Sequence, residues 1–142
     1  MIIAVDFDGT IVEHEYPRIG KEKPFAFYTL KKLQAEGHQL ILWTSRQGSA
    51  LDEAVEFCRR NGVEFYAVNK NYPEETWDES VGRKIVADIY IDDRNLGGFP
   101  GWGEAYQMIT GQMGNSHYLR PKPARKNALK LFFQKIINLI SD

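Results

Sequence analysis

Cysteine is almost absent from this chain, and that excludes two kinds of site at once. With Cys58 alone among 142 residues, no intrachain disulfide can form and no metal site can be built from cysteines. Cys58 falls in a stretch with helical spacing, which predicts a packed thiol rather than a reactive one. Long apolar runs are missing too. The N-terminal run MIIAV has no basic residues before it and is far too short for a signal peptide or a membrane span. A cytoplasmic location is therefore the expectation. Charge of one sign is also lacking: 18 Lys and Arg face 19 Asp and Glu, a formal net charge of −1. That balance gives no electrostatic case for bulk binding to nucleic acid or to an anionic membrane, although a local patch can hide inside it. No internal repeat is visible. What is present is an ordinary globular composition, 43% hydrophobic and 26% charged, long enough for one core without staples.

The first ten residues, MIIAVDFDGT, organise the rest. Ile2 to Val5 are apolar and mostly β-branched, enough for one buried strand. The polarity then inverts with Asp6, Asp8 and Thr10, and Gly9 frees the backbone to turn. Residues 11–24, with Pro17, Gly20 and Pro24, read as a loop or small hairpin. Helical spacing over 25–36 ends at Gly37, and 39–43 (QLILW) is a second strand stopped by Thr44, Ser45 and Arg46. Ser49 with Asp52 resembles a capping box for a helix over 50–60, closed by Gly62. Residues 64–68 predict a third strand ending in Asn69 and Lys70. A short helix is expected over 79–84 and a fourth strand over 85–91, stopped by Asp92, Asp93 and Arg94.

Strands alternating with helices imply βαβ crossovers, a mainly parallel sheet and helices on both faces. Parallel strands share one C-terminal edge, where ligands of open α/β sheets bind. Each expected strand here hands over to polar residues at that edge. Three or four carboxylates brought together there repel one another unless a cation joins them. Oxygen ligands without a Cys/His cluster suit Mg²⁺. A carboxylate beside such a cation can attack phosphorus and form an aspartyl-phosphate.

DFDGT after an apolar strand resembles the first motif of the haloacid dehalogenase (HAD) superfamily, most of whose members are Mg²⁺-dependent phosphohydrolases. ILWTS resembles the second motif and YIDDR the fourth. The third is only a basic residue before the fourth: Lys84 is the choice, with Arg83 and Lys70 as alternatives. The resemblance covers about residues 1–110. It implies a Rossmann-like three-layer α/β sandwich with a central, mainly parallel sheet. It implies Asp6 as nucleophile and metal ligand, and Asp8 as general acid and then base, its backbone carbonyl on Mg²⁺. Thr10 would steady the loop, Thr44 would hold the phosphoryl group, and Lys84 would offset charge on Asp6 and phosphate. Asp92 would be the second carboxylate on the metal, supported by Asp93. The implied activity is hydrolysis of a phosphate monoester. Phosphoryl transfer to another acceptor, or a non-catalytic Mg²⁺-binding module, are the alternatives.

Neither gap between motifs holds a separate cap domain, so the chain resembles the capless members, whose open sites often serve large substrates. The expected partner is a phosphorylated substrate, a small molecule or a polynucleotide end, with Thr44, Ser45, Arg46 and Arg94 as its contacts. Residues 95–118 hold six glycines with Phe99, Trp102, Tyr106 and Tyr118. They read either as a partial lid with stacking aromatics or as a loop packing those rings inward, with a short helix over 104–109. A core over 1–112 is then followed by a linker, 113–123, and an amphipathic helix over 124–142. Leu129, Phe132, Phe133, Ile136, Ile137 and Ile140 share one face of that helix. Packing on its own domain or on a twin subunit is expected rather than membrane binding, and a homodimer through this helix would supply a lid.

Overall fold

The computed structural model describes residues 1–111; the expected linker 113–123, the helix 124–142 and the dimer contact placed on it lie outside the described residues. Four strands form one all-parallel sheet: β1 (Ile2–Val5), β2 (Gln39–Leu42), β3 (Ala67–Val68) and β4 (Ile89–Ile91), in the order β3-β2-β1-β4. Three helices alternate with them: α1 (Ala26–Ala35), α2 (Gly48–Arg60) and α3 (Trp102–Thr110). This is a small α/β fold. No helix among the described residues is long and apolar enough to cross a membrane.

The side-chain alternation of β1 and β2 divides the core. Ile3, Val5, Leu40 and Leu42 face one way, into a cluster with Leu30 and Leu33 of α1, Cys58 of α2 and Trp102 of α3. Each such aliphatic side chain contributes roughly 1.5–3 kcal/mol on burial. Ala4 and Ile41 face the other way, against Ala67 and Ile85. Helices were expected on both faces, yet α1, α2 and α3 all bury residues in the first cluster. The topology explains this. The steps β1→β2→β3 run in one direction, and right-handed crossovers then place α1 and α2 on the same face. The return step from β3 to β4 must cross the opposite face, and its connection, 69–88, contains no helix.

Element ends differ from the sequence reading in ways the register accounts for. β4 is shorter than 85–91 because its partner β1 starts at Ile2, and Asp88 N–H already donates to the Ile2 carbonyl at 2.8 Å. Residues 85–87 thus have no strand to lie against, and the Tyr90 hydroxyl ties them down by donating to the Ile85 carbonyl. β3 is an edge strand pairing only Ala67 and Val68 with Ile41 and Leu42. The expected helix over 79–84 is a turn instead, where the Asp78 carboxylate accepts from the Ser80 N–H at 2.7 Å. Ser49 and Asp52 form no capping box: α2 starts at Gly48 behind an extended Gln47, with no side-chain cap. α1 and α2 do close at Gly37 and Gly62. In each, the glycine N–H and the next N–H return to the last carbonyls, Gln34 and Leu33 in α1, Arg59 and Cys58 in α2. α3 extends the expected 104–109 to Trp102–Thr110.

The lid reading of 95–118 does not hold for its described aromatics. Trp102 is buried, edge-on to Phe99 at 5.3 Å between centroids, and its indole N–H donates to the Thr10 carbonyl at 2.9 Å. That bond ties α3 to the loop after β1. Tyr118 lies outside the described residues.

Candidate active site

Three strands of the sheet deliver their following residues to one cavity of about 750 Å³. It lies off the C-terminal ends of β1, β2 and β4, with β1 at the centre. Asp6 and Asp8 come from the loop after β1, Thr44 and Ser45 from the end of β2, and Asp92 and Arg94 from the end of β4. His14, Tyr16 and Trp43 complete the lining.

Asp6, Asp92 and Asp93 each bring one carboxylate oxygen within 4.8 Å of the others. Asp6 feels this strongly. Burial, and then the charge of Asp92, push its carboxyl up to about 7, against the opposing bonds from the Phe7 backbone and the Thr10 hydroxyl. Thr10 joins two of the acids: its hydroxyl donates to Asp6 Oδ2 at 3.0 Å and accepts the Asp93 N–H at 3.1 Å. Among the described residues Asp93 Oδ1 is buried with no hydrogen-bond partner. A buried carboxylate oxygen left unpaired is costly unless a cation completes it. The donor set is all oxygen, which fits a hard divalent cation such as Mg²⁺.

Gly9 makes room for this cluster. Its φ is +87°, and a Cβ built on it would meet Asp93 Oδ2 at 2.3 Å. Gly9→Ala should therefore displace Asp93 and, if the cluster takes Mg²⁺, raise the Mg²⁺ concentration for half-maximal binding by roughly tenfold or more, read by calorimetric titration. An unchanged affinity would show that Asp93 has no part in holding the ion.

Thr44 is fixed from both sides. Its N–H donates to Asn69 Oδ1 at 2.8 Å and its hydroxyl oxygen accepts the Arg46 N–H at 3.2 Å; among the described residues that hydroxyl donates to no partner, and Thr44 lines the cavity. Asn69, held at φ +54° just past β3, was expected at the sheet edge from the sequence but given no role there; it braces Thr44. A non-glycine residue at positive φ is a structural signal with no counterpart in composition.

The basic residues fall differently from their expected places. Lys84 is exposed, with its ammonium 4.9 Å over the Tyr90 ring, and Arg83 lies over Trp77 at 5.1 Å. Neither lines the cavity, nor does Lys70; its lining arginine is Arg94, exposed, whose N–H donates to Asp92 Oδ1 at 2.8 Å. Arg46 is wholly buried, not an exposed phosphate contact. Its Nε and Nη2 each donate to one oxygen of Asp8 at 2.7 Å. Nη2 also donates to the Arg18 carbonyl at 2.7 Å, while Nη1 donates to the Pro17 carbonyl at 2.9 Å and the Ala50 carbonyl at 3.4 Å. Cys58 is packed and inert, its thiol pushed up to about 12 by burial.

No protein-family model matches the chain. A segment of 56 residues is 38% identical to the signal recognition particle 19 kDa protein of Archaeoglobus fulgidus. It covers 39% of this chain, and the chain spans about half that relative's length, 53%. A solved structure, of a conserved protein from Bacteroides thetaiotaomicron, superposes with a TM-score of 0.75 at 62% identity, over 79% of this chain and 91% of that one. At that identity and coverage, the chain belongs to the same family as the conserved Bacteroides thetaiotaomicron protein.

Proposed function

We propose that this chain is a capless hydrolase of the HAD type, a Mg²⁺-dependent phosphatase that works through an aspartyl-phosphate on Asp6. One observation carries the reading. Carboxylates from opposite ends of the described chain, Asp6 and the pair Asp92 and Asp93, converge on one point, and a buried oxygen of Asp93 finds no partner among the described residues. Fully ionised, such an arrangement is unfavourable until a cation, or a proton on Asp6, offsets the repulsion. Asp6, Asp92 and Asp93 would hold it, with the Asp8 carbonyl as the further candidate from the same loop. The ion would offset the charge of the incoming phosphate and of Asp6.

The chain's own residues divide the remaining work. An Asp6 carboxylate oxygen attacks phosphorus, and the bond to the ester oxygen breaks as that oxygen takes a proton from Asp8. Water then attacks the phosphoryl group while Asp8 takes back a proton, which releases inorganic phosphate and restores Asp6. The Thr44 hydroxyl donates to a phosphoryl oxygen, and Arg94 meets the substrate from the rim. The basic duty expected of Lys84 falls more readily to Arg94, given where the two side chains stand.

The gap from Asp8 to Thr44 holds a loop, α1 and β2, and that from Thr44 to Asp92 holds α2, β3, the connection 69–88 and β4. None of these is a cap domain, which supports the capless reading and a broad range of substrate sizes. The test is phosphate release from p-nitrophenyl phosphate with Mg²⁺, followed by phosphometabolites and 3′- and 5′-phosphorylated oligonucleotides. Equal amounts of p-nitrophenol and inorganic phosphate, abolished by EDTA, are expected. Phosphate appearing on an added alcohol instead of in solution would make the chain a transferase. No release from any ester would leave a Mg²⁺-binding module.

A further inference from the structure

Arg46 presents a problem of placement that the reaction as written does not use. A guanidinium has five N–H donors and no acceptor. All five are spent inside the protein: two on Asp8 and one each on the Pro17, Arg18 and Ala50 carbonyls. None is left for substrate. The group lies against the rings of Phe7 and Tyr16, 5.0 and 5.2 Å from their centroids, and its side chain is 0% exposed. Arg46 is thus a fixed point that joins the loop after β1, residues 17–18 and the first turn of α2.

Of the groups that accept hydrogen bonds from the Arg46 guanidinium, Asp8 alone lines the cavity. Its side chain is 11% exposed and forms part of the lining. A planar fork takes one lone pair on each carboxylate oxygen and leaves the others directed elsewhere. Asp8 is therefore held in orientation without being used up. Among the described residues its carboxylate has no other hydrogen-bond partner, so without the fork it is free to turn. Misplacement of a proton-transfer group by a fraction of its reach is enough to disable it.

We propose that Arg46 is a positioning residue for Asp8, holding the carboxylate where it meets the leaving oxygen. This rests on the phosphatase reading of the same site and adds to it a specific dependence on leaving group. Esters whose oxygen must be protonated to depart need Asp8 well placed in the first step. Esters that expel a stable phenolate need it far less.

The experiment compares wild type with Arg46→Lys, which keeps the charge but cannot form the fork. The substrates are glycerol phosphate and p-nitrophenyl phosphate, each with Mg²⁺. Activity toward glycerol phosphate should fall roughly 10²-fold, and toward p-nitrophenyl phosphate by no more than about threefold on the release of p-nitrophenol in a single turnover. In an Asp8→Asn background, Arg46→Lys should cost nothing further. Equal losses on both esters, or a loss that persists in that background, overturn the proposal while leaving the phosphatase intact. A wild type inert toward both esters removes the two together. Should Arg46→Lys not fold, a crystal structure of the wild type with Mg²⁺ and vanadate decides: Asp8 still forked by Arg46 and facing the leaving position supports it, and Asp8 released from Arg46 refutes it.

Discussion

Asp6→Asn lowers turnover of any phosphate ester by roughly 10³-fold or more, because in the proposed reaction Asp6 supplies the attacking oxygen. Asparagine keeps the volume and one oxygen but has no anionic electron pair to form the acyl phosphate. Asp8→Asn gives a different defect. With an ester that needs no help to leave, the first step proceeds and the second stalls, since water has lost its base. Intact-mass measurement of that variant should show one phosphoryl group on the protein, and peptide mapping should place it on Asp6. Asp6→Asn should show none. A phosphoryl group elsewhere, or two variants with wild-type turnover, would end the covalent scheme.

The second large effect is a pH dependence of the metal-free protein. Burial and Asp92 raise the folded-state pKa of Asp6 from 3.8 to about 7. The folded protein then holds a proton that the unfolded chain has lost, so stability falls as pH rises from about 4 through about 7. With partial exposure allowed for, the change is about 2 kcal/mol, or roughly 5–10 °C in Tm. His38 works the other way over part of this range, since burial lowers its pKa from 6.5 and stability is gained as pH rises toward 6.5. Glu56, Glu75 and Asp78 have lowered values and matter only in more acid solution. Asp6→Asn isolates the effect: wild type should lose stability from pH 5 to 7.5 in EDTA, and the variant should not. On the proposed reading Mg²⁺ binds the ionised form, so its stabilisation of wild type should grow over the same interval. Parallel melting curves for the two proteins, with and without Mg²⁺, would show that Asp6 is neither buried as described nor part of a cation site.

Much of the site was legible before any fold was known, and the reason is local. Strand and polar turn are adjacent in sequence at Asp6, at Thr44 and at Asp92, so the C-terminal edge of a parallel sheet had to gather them. The basic residues were not legible. A lysine or arginine carries its charge at the end of a long stem, and its sequence position says little about where that charge rests. Lys84 turned onto Tyr90 and Arg46 turned inward to Asp8, although both stand within a few positions of motif residues.

By itself the sequence determined the alternation of strands and helices, the terminal glycines of α1 and α2, and the supply of carboxylates at three strand ends. These follow from periodicity and backbone preference, which act over a few residues. Only the tertiary structure decided that the three helices share one face, that Asn69 braces Thr44, and that Gly9 yields its space to Asp93. It also decided that Arg46 belongs to Asp8 rather than to solvent. Each of these sets a residue against another distant in the chain, and close packing, not local preference, selects such pairs.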